Sequence, residues 1–176
     1  IVGTRHNAVL YICNGHGVWE ASVNNVLCKN DNVLVAATGS FAHGWADVAA
    51  KMGVSTEIIE FGKSSGIDAA VIETRLLADK AHKIKAVMAT HTDTSSGLHN
   101  NSPALRAAID AADHPALLMV DCVASIGCER FEMDNWGVDV AITASQKGLM
   151  TPPGLGYVFF NDKAAAIAAS AENHSP

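Results

Sequence analysis

Long apolar runs are missing from this 176-residue chain, and no segment approaches the ~18 residues that a membrane-crossing helix needs. Nor does the chain open with the charged, apolar and small-residue regions of a secretory leader. Lys and Arg are nowhere clustered, and 18 acidic residues against 12 basic ones leave a net charge of −6. That balance argues against nucleic acid or an anionic membrane as partner. The four cysteines (Cys13, Cys28, Cys122 and Cys128) form no C-x-x-C pair, so zinc ligation is not indicated. Cys13 and Cys122 fall in or just after apolar runs, and buried reduced thiols in a compartment such as the cytosol are the expectation. No Ser or Cys nucleophile with a base and a third orienting group can be assigned from spacing, which leaves a hydrolytic triad unsupported. Internal repeats and low-complexity linkers are absent as well.

What is present is a regular alternation in a chain that is 49% apolar. Apolar runs predict strands over 8–13, 33–37, 56–61, 84–90, 116–120, 138–144 and 155–160. Helical spacing predicts helices over 16–27, 42–52, 67–81, 103–112 and 163–170. Asn14 stands as N-cap before the first helix, whose apolar face carries Trp19, Val23, Val26 and Leu27. Trp45 falls on the core face of the second. The polar stretch 91–101 reads as a loop. Strands separated by helices of ten or more residues imply crossover units and a mostly parallel sheet. Continuously apolar strands imply helices over both faces. One α/β domain is expected.

The chemistry gathers where strands end. The run Ala116-Leu117-Leu118-Met119-Val120 closes on Asp121, and the run over 138–142 is followed by Ser145-Gln146-Lys147. Charged residues at the carboxyl ends of parallel strands point into the crevice where such sheets bind ligands. Lysine can hold an aldehyde cofactor as a Schiff base, and aspartate can keep a ring nitrogen protonated. Pyridoxal phosphate needs both. Asn14-Gly15-His16-Gly17 links a strand to a helix, and a helix N-terminus suits a phosphate; alone it reads more readily as an ordinary strand–glycine–helix turn, and it matches neither G-x-G-x-x-G nor the P-loop signature. His91-Thr92-Asp93-Thr94-Ser95-Ser96-Gly97 is dense in hydroxyls, and its His91-x-Asp93 pair also admits a metal reading. No second ligand cluster accompanies that pair in the sequence. Taken singly, Asp121 reads as a cap, Lys147 as a surface residue, and Phe41 as either core or an aromatic stacking partner. Their joint occurrence at strand ends is what favours a site.

Taken together, Asn14-Gly15-His16-Gly17-Val18-Trp19-Glu20-Ala21, Gly39-Ser40-Phe41, the 91–97 loop, Val120-Asp121-Cys122-Val123-Ala124-Ser125, Ser145-Gln146-Lys147-Gly148-Leu149 and Pro152-Pro153-Gly154 resemble the class V, fold-type I, pyridoxal phosphate-dependent aminotransferases. The alanine–glyoxylate, serine–glyoxylate and serine–pyruvate enzymes are the nearest in pattern. Cysteine desulfurases share the fold but carry a histidine where this chain has Gln146. The resemblance implies Lys147 as the Schiff-base lysine and proton carrier, Asp121 as partner of the pyridinium nitrogen, Val123 beneath the ring and Phe41 above it. It implies Thr94 near the ring oxygen, and Asn14, Gly15, His16 and Gln146 around the phosphate, with Asn14 replacing the usual serine. It also implies a homodimer, and transamination between alanine or serine and glyoxylate or pyruvate. Residues 1–176 are expected to be the cofactor-binding large domain, without the N-terminal arm, the C-terminal small domain or its substrate-carboxylate arginine. Three other readings stand beside it: ureidoglycine or aminophosphonate transamination, a cofactor-binding fragment without turnover, and a flavodoxin-like binding domain.

Overall fold

A computed structural model describes residues 1–171. The chain runs β1 (Asn7–Ile12), α1 (Gly15–Val26), β2 (Asn32–Ala37), α2 (Ser40–Lys51), β3 (Ser55–Glu60), α3 (Ala69–Ala78), β4 (Ile84–Thr90), β5 (Thr92–Asp93), β6 (Leu98–His99), α4 (Ser102–Ala111), β7 (Leu117–Asp121), β8 (Val140–Ala144), β9 (Leu155–Phe160) and α5 (Asp162–Ser170). Seven strands form one sheet in the order β1-β9-β8-β7-β4-β2-β3. Strands β8, β7, β4, β2 and β3 are mutually parallel, and β9 is antiparallel to both of its neighbours. The expected α/β fold with a mostly parallel, mixed sheet is present.

Alternation along the central strands divides their side chains between two cores. Val33, Val35, Ala86, Met88, Leu117, Met119, Val140 and Ile142 pack on one face with Trp19, Val23, Trp45 and Ala49 of α1 and α2. Leu34, Ala36, Val87, Ala89, Leu118, Val120 and Ala141 pack on the other with Ile72, Leu76, Leu105 and Ile109 of α3 and α4. A strand apolar at every position is what two covered faces require. This does not extend to the edges: β1 leaves Ile12 92% and Leu10 53% exposed, and β3 is mostly exposed. Each edge strand has one neighbour, and its outer residues meet no second layer.

Helix boundaries follow local hydrogen bonding. Asn14, Asp68, Asn101 and Asn161 each turn a side-chain oxygen onto a first-turn N–H, which satisfies donors the helix itself cannot. The cap at Asp68 starts α3 two residues later than expected. The expected loop over 91–101 contains a two-stranded hairpin, β5 with β6. Its strands are two residues long, too short for alternation to announce them.

At the edge of the sheet away from the carboxyl ends of β7 and β8, Asp139 is 3% exposed. It accepts from Leu118 N (2.7 Å), Asn161 Nδ2 (2.8 Å) and Arg106 (3.3 Å), joining β7, β8, α4 and the cap of α5. Removing one member of such a buried charged set costs about 3 kcal/mol or more. Asp139→Ala should therefore lower the unfolding free energy of the full-length chain by that order in a urea titration. A loss under about 0.5 kcal/mol, the usual surface value, would contradict this.

Candidate active site

The carboxyl ends of β1, β2, β4, β7 and β8 open on one edge of the sheet, where their loops enclose a cavity of about 260 Å³. All nine site residues expected from the sequence line it. Asn14, Gly15 and His16 come from the β1–α1 turn, Phe41 from the first turn of α2, and Thr94 from the hairpin. Asp121 and Val123 come from the end of β7, and Gln146 and Lys147 from the turn after β8. Trp19, Thr92 and Ala124 complete the lining. Asp121 and Lys147, 26 positions apart in sequence, face one space.

Asp121 is 5% exposed. Its Oδ1 accepts from the Val123 N–H at 2.8 Å and its Oδ2 from the Trp19 indole N–H at 2.7 Å. Burial pushes the carboxyl up to about 6; the Val123 N–H and the Trp19 indole oppose the shift, Asp93 adds to it and His16 opposes it. Among the described residues, no lysine or arginine bonds to it. A carboxylate in this setting gains from any cationic N–H that enters the cavity.

The β1–α1 turn presents a helix N-terminus to the same space. Asn14 Oδ1 accepts from His16 N (3.0 Å) and Gly17 N (3.2 Å). The resemblance implies His16 at the phosphate, and here Asn14 already holds the His16 backbone N–H. The Gly15 N–H, the Asn14 amide NH₂ and the His16 imidazole are the donors that this turn can still offer an anion. A Cβ at Gly15 would come within 3.3 Å of the Val123 methyls, so the turn lies directly on the residue expected beneath the ring.

Helix α2 begins at Gly39, which has no side chain to cap it. Its cap arrives from the hairpin. Asp93 Oδ2 accepts from Phe41 N (3.1 Å) and Ala42 N (3.2 Å), Ser95 Oγ accepts from Ser40 N (2.6 Å), and Ser95 Oγ–H donates to Asp93 Oδ1 (2.7 Å). A Cβ at Gly39 would overlap the Asp93 carboxylate. Phe41, 37% exposed, is thereby held at the cavity with its ring 6.4 Å from that of Trp19. That removes the core reading of Phe41, while Trp45, at 1% exposed, is core. Asp93, considered in sequence only as a metal ligand beside His91, is a helix cap.

The turn bearing Lys147 is tied down by Ser145, which is fully buried. Ser145 Oγ–H donates to Pro152 O (2.6 Å), and Ser145 O accepts from Thr151 N (3.1 Å) and Thr151 Oγ1 (3.0 Å). A Cβ at Gly148 would overlap Ile126 O and Cys128, and one at Gly127, whose φ is +89°, would overlap Gly148 O. Neither position has room for a Cβ. Lys147 and Gln146 remain exposed above this base.

His91 lies behind the cavity, 1% exposed, with one ring nitrogen 2.8 Å from Ser125 Oγ and Phe131, Trp136 and His99 around its ring. Burial and the neighbouring His99 lower it to about 4, so it stays neutral at neutral pH. His99 and Glu129 bring their ligand atoms within 4.8 Å of it and of each other, and are themselves paired at 2.5 Å. Folding alone creates that grouping. Among the cysteines Cys122 is buried, Cys13 and Cys28 are half-buried and Cys128 is exposed, so the expectation of buried thiols holds fully for Cys122 alone. Loops carry Cys28 and Cys128 past the core.

A family model for aminotransferase class-V matches residues 3–172. The chain belongs to the class V aminotransferase family. Among curated relatives of this class V chain, an L-aspartate–glyoxylate aminotransferase of Paracoccus denitrificans is 44% identical over 96% of the chain and 42% of its own length. A serine–glyoxylate aminotransferase of Methylorubrum extorquens is 46% identical over 94% and 41%. The ureidoglycine–glyoxylate aminotransferase structure from Bacillus subtilis superposes with a TM-score of 0.88 at 27% identity, covering 96% of the chain and 43% of that structure. The chain thus spans about two-fifths of the length of these relatives.

Class V aminotransferases work with pyridoxal phosphate. The residues present fit that group. A buried carboxylate with a neutral donor on each oxygen suits a ring N–H, a helix N-terminus suits a phosphate, and a lysine projects from a rigid turn of the same cavity.

The raised carboxyl of Asp121 has a consequence for the cofactor-free protein. A folded-state value near 6, against about 3.9 when unfolded, means that the folded chain binds this proton more tightly. The resulting stability is present below pH 4 and is lost as pH rises through 6. Asp121→Asn has no such loss. Its stability relative to wild type should climb by about 3 kcal/mol between pH 4 and pH 7, measured by chemical denaturation of the cofactor-free full-length chain. A difference that stays flat over that interval would refute the assignment.

Proposed function

We propose that this chain is the cofactor-binding part of a transaminase that moves an amino group between a small amino acid, alanine or serine, and a 2-oxo acid, glyoxylate or pyruvate. The observation that carries the reading is the meeting of Asp121, Lys147 and the α1 N-terminus around one cavity. Glyoxylate as acceptor is supported by its presence in the names of the Paracoccus, Methylorubrum and Bacillus proteins. Those names differ in the donor, and the Bacillus structure supports ureidoglycine transamination as the second reading.

Bound pyridoxal phosphate supplies an aldehyde carbon that condenses with amines and a ring that withdraws electrons. The chain's own residues do the rest. Asn14, Gly15, His16 and Gln146 would hold its phosphate at the α1 N-terminus. Phe41 and Val123 would confine its ring, and Thr94 would donate toward the ring oxygen. The Asp121 carboxylate would keep a proton on the ring nitrogen and so preserve the electron withdrawal. Lys147 Nζ would hold the aldehyde carbon and, once free, serve as the base toward the donor's Cα proton. A homodimer is carried over from the family resemblance, and the free cysteines support a reducing compartment such as the cytosol.

Lys147→Ala in the full-length enzyme should reduce glycine formation from glyoxylate by about 10³-fold or more, assayed in parallel with serine, alanine, aspartate and ureidoglycine as donors. It should retain measurable affinity for the cofactor through the phosphate site. Activity within tenfold of wild type with any of these donors would overturn the reading.

A further inference from the structure

Trp19 has the spacing of a core residue, and α1 does bury it to 4% exposed. Yet its polar edge is not in the core. The indole N–H is 2.7 Å from Asp121 Oδ2, while the six-membered edge of the ring lies over Gly44 of α2, where a Cβ would come within 3.1 Å of it. The His16 ring meets it edge-on at 4.6 Å and the Phe41 ring at 6.4 Å. The indole therefore stands between the anion-binding turn, the stacking ring and the carboxylate.

We propose that Trp19 is the positioning residue that holds Asp121 ionised and aimed at the ring nitrogen, with Gly44 giving the indole its place. This rests on the reading of Asp121 as that nitrogen's partner. An indole N–H donates and never accepts, and the Val123 N–H on the other oxygen has the same limit. A proton on Asp121 therefore finds no acceptor in either donor and must face the cavity, where a cofactor's own N–H competes for the same carboxylate. An indole also carries no charge. A lysine or arginine in its position would orient the carboxylate equally well but would neutralise it, leaving less for the ring. Trp19 fixes direction without spending the anion. The charged or titratable groups acting on this carboxylate, Asp93 and His16, stand off from it, and neither forms a hydrogen bond to it.

The test compares pyridoxal phosphate with its analogue in which CH replaces the ring nitrogen, each titrated into the cofactor-free full-length chain. Wild type should bind the natural cofactor more tightly than the analogue. In Trp19→Phe that preference should shrink about 10- to 100-fold, the value of a hydrogen bond to a charged group, with affinity for the analogue changed less than about threefold. In an Asp121→Asn background, Trp19→Phe should produce no further loss of preference. An unmutated readout guards against misfolding of the variant: the Trp19 indole ¹⁵N–¹H resonance should shift with a midpoint near pH 6, and that titration should vanish in Asp121→Asn. If Trp19→Phe weakens both ligands equally, or neither, or if the indole resonance does not titrate, the positioning role is overturned while the cofactor reading stands. If wild type itself shows no preference, both are overturned together.

Discussion

A carboxylate buried without a bonded cation is the constraint on which the site depends. Isolated in a protein interior, such a group reverts toward its protonated form, and the raised value of Asp121 registers that tendency. Two N–H donors, one from the chain two residues on and one from a helix in a different crossover unit, oppose it without cancelling the charge. The balance leaves a carboxylate that is costly to ionise and that gains from any cationic N–H brought against it.

The parallel sheet turns this local arrangement into a shared address. Five strands deliver their carboxyl ends to the same edge, and each contributes one part: a helix N-terminus, an aromatic ring, a hydroxyl, an acid and an amine. The antiparallel β9 also has a role here. Ser145 N donates to Leu155 O and Leu155 N to Ser145 Oγ, so the return strand grips the base of the turn that carries the lysine.

Most of this could be read from the chain in advance. Apolar runs ending in Asp121 or leading to Lys147 reveal strands and their ends, because burial on two faces demands unbroken hydrophobicity and the first charge marks the exit. Asp121 and Lys147 follow from that logic, and Asn14, Gly15 and His16 from a glycine turn that opens a helix, whereas Val123, Thr94, Gln146 and the cavity position of Phe41 come from the resemblance to class V aminotransferases. What stayed hidden were contacts between distant segments. Asp93 caps N–H groups 52 and 51 positions earlier, and nothing in its neighbourhood announces that, although Gly39 at the helix start, unable to cap itself, is a sign that the cap must come from elsewhere. Trp19 fitted the apolar stripe of α1, and periodicity counts a tryptophan as hydrophobic without asking where its N–H goes; a buried indole usually has a partner. The exposed edge strands were misjudged for a related reason, since apolar composition says nothing about how many neighbours a strand has.

The mutual fit of Gly127 and Gly148 has a wider meaning. Because neither position leaves room for a Cβ, the segment after Asp121 and the segment carrying Lys147 approach main chain to main chain. A side chain at either glycine would push the two segments apart. The placement of the acid relative to the amine is therefore sensitive to two residues that do not themselves line the cavity.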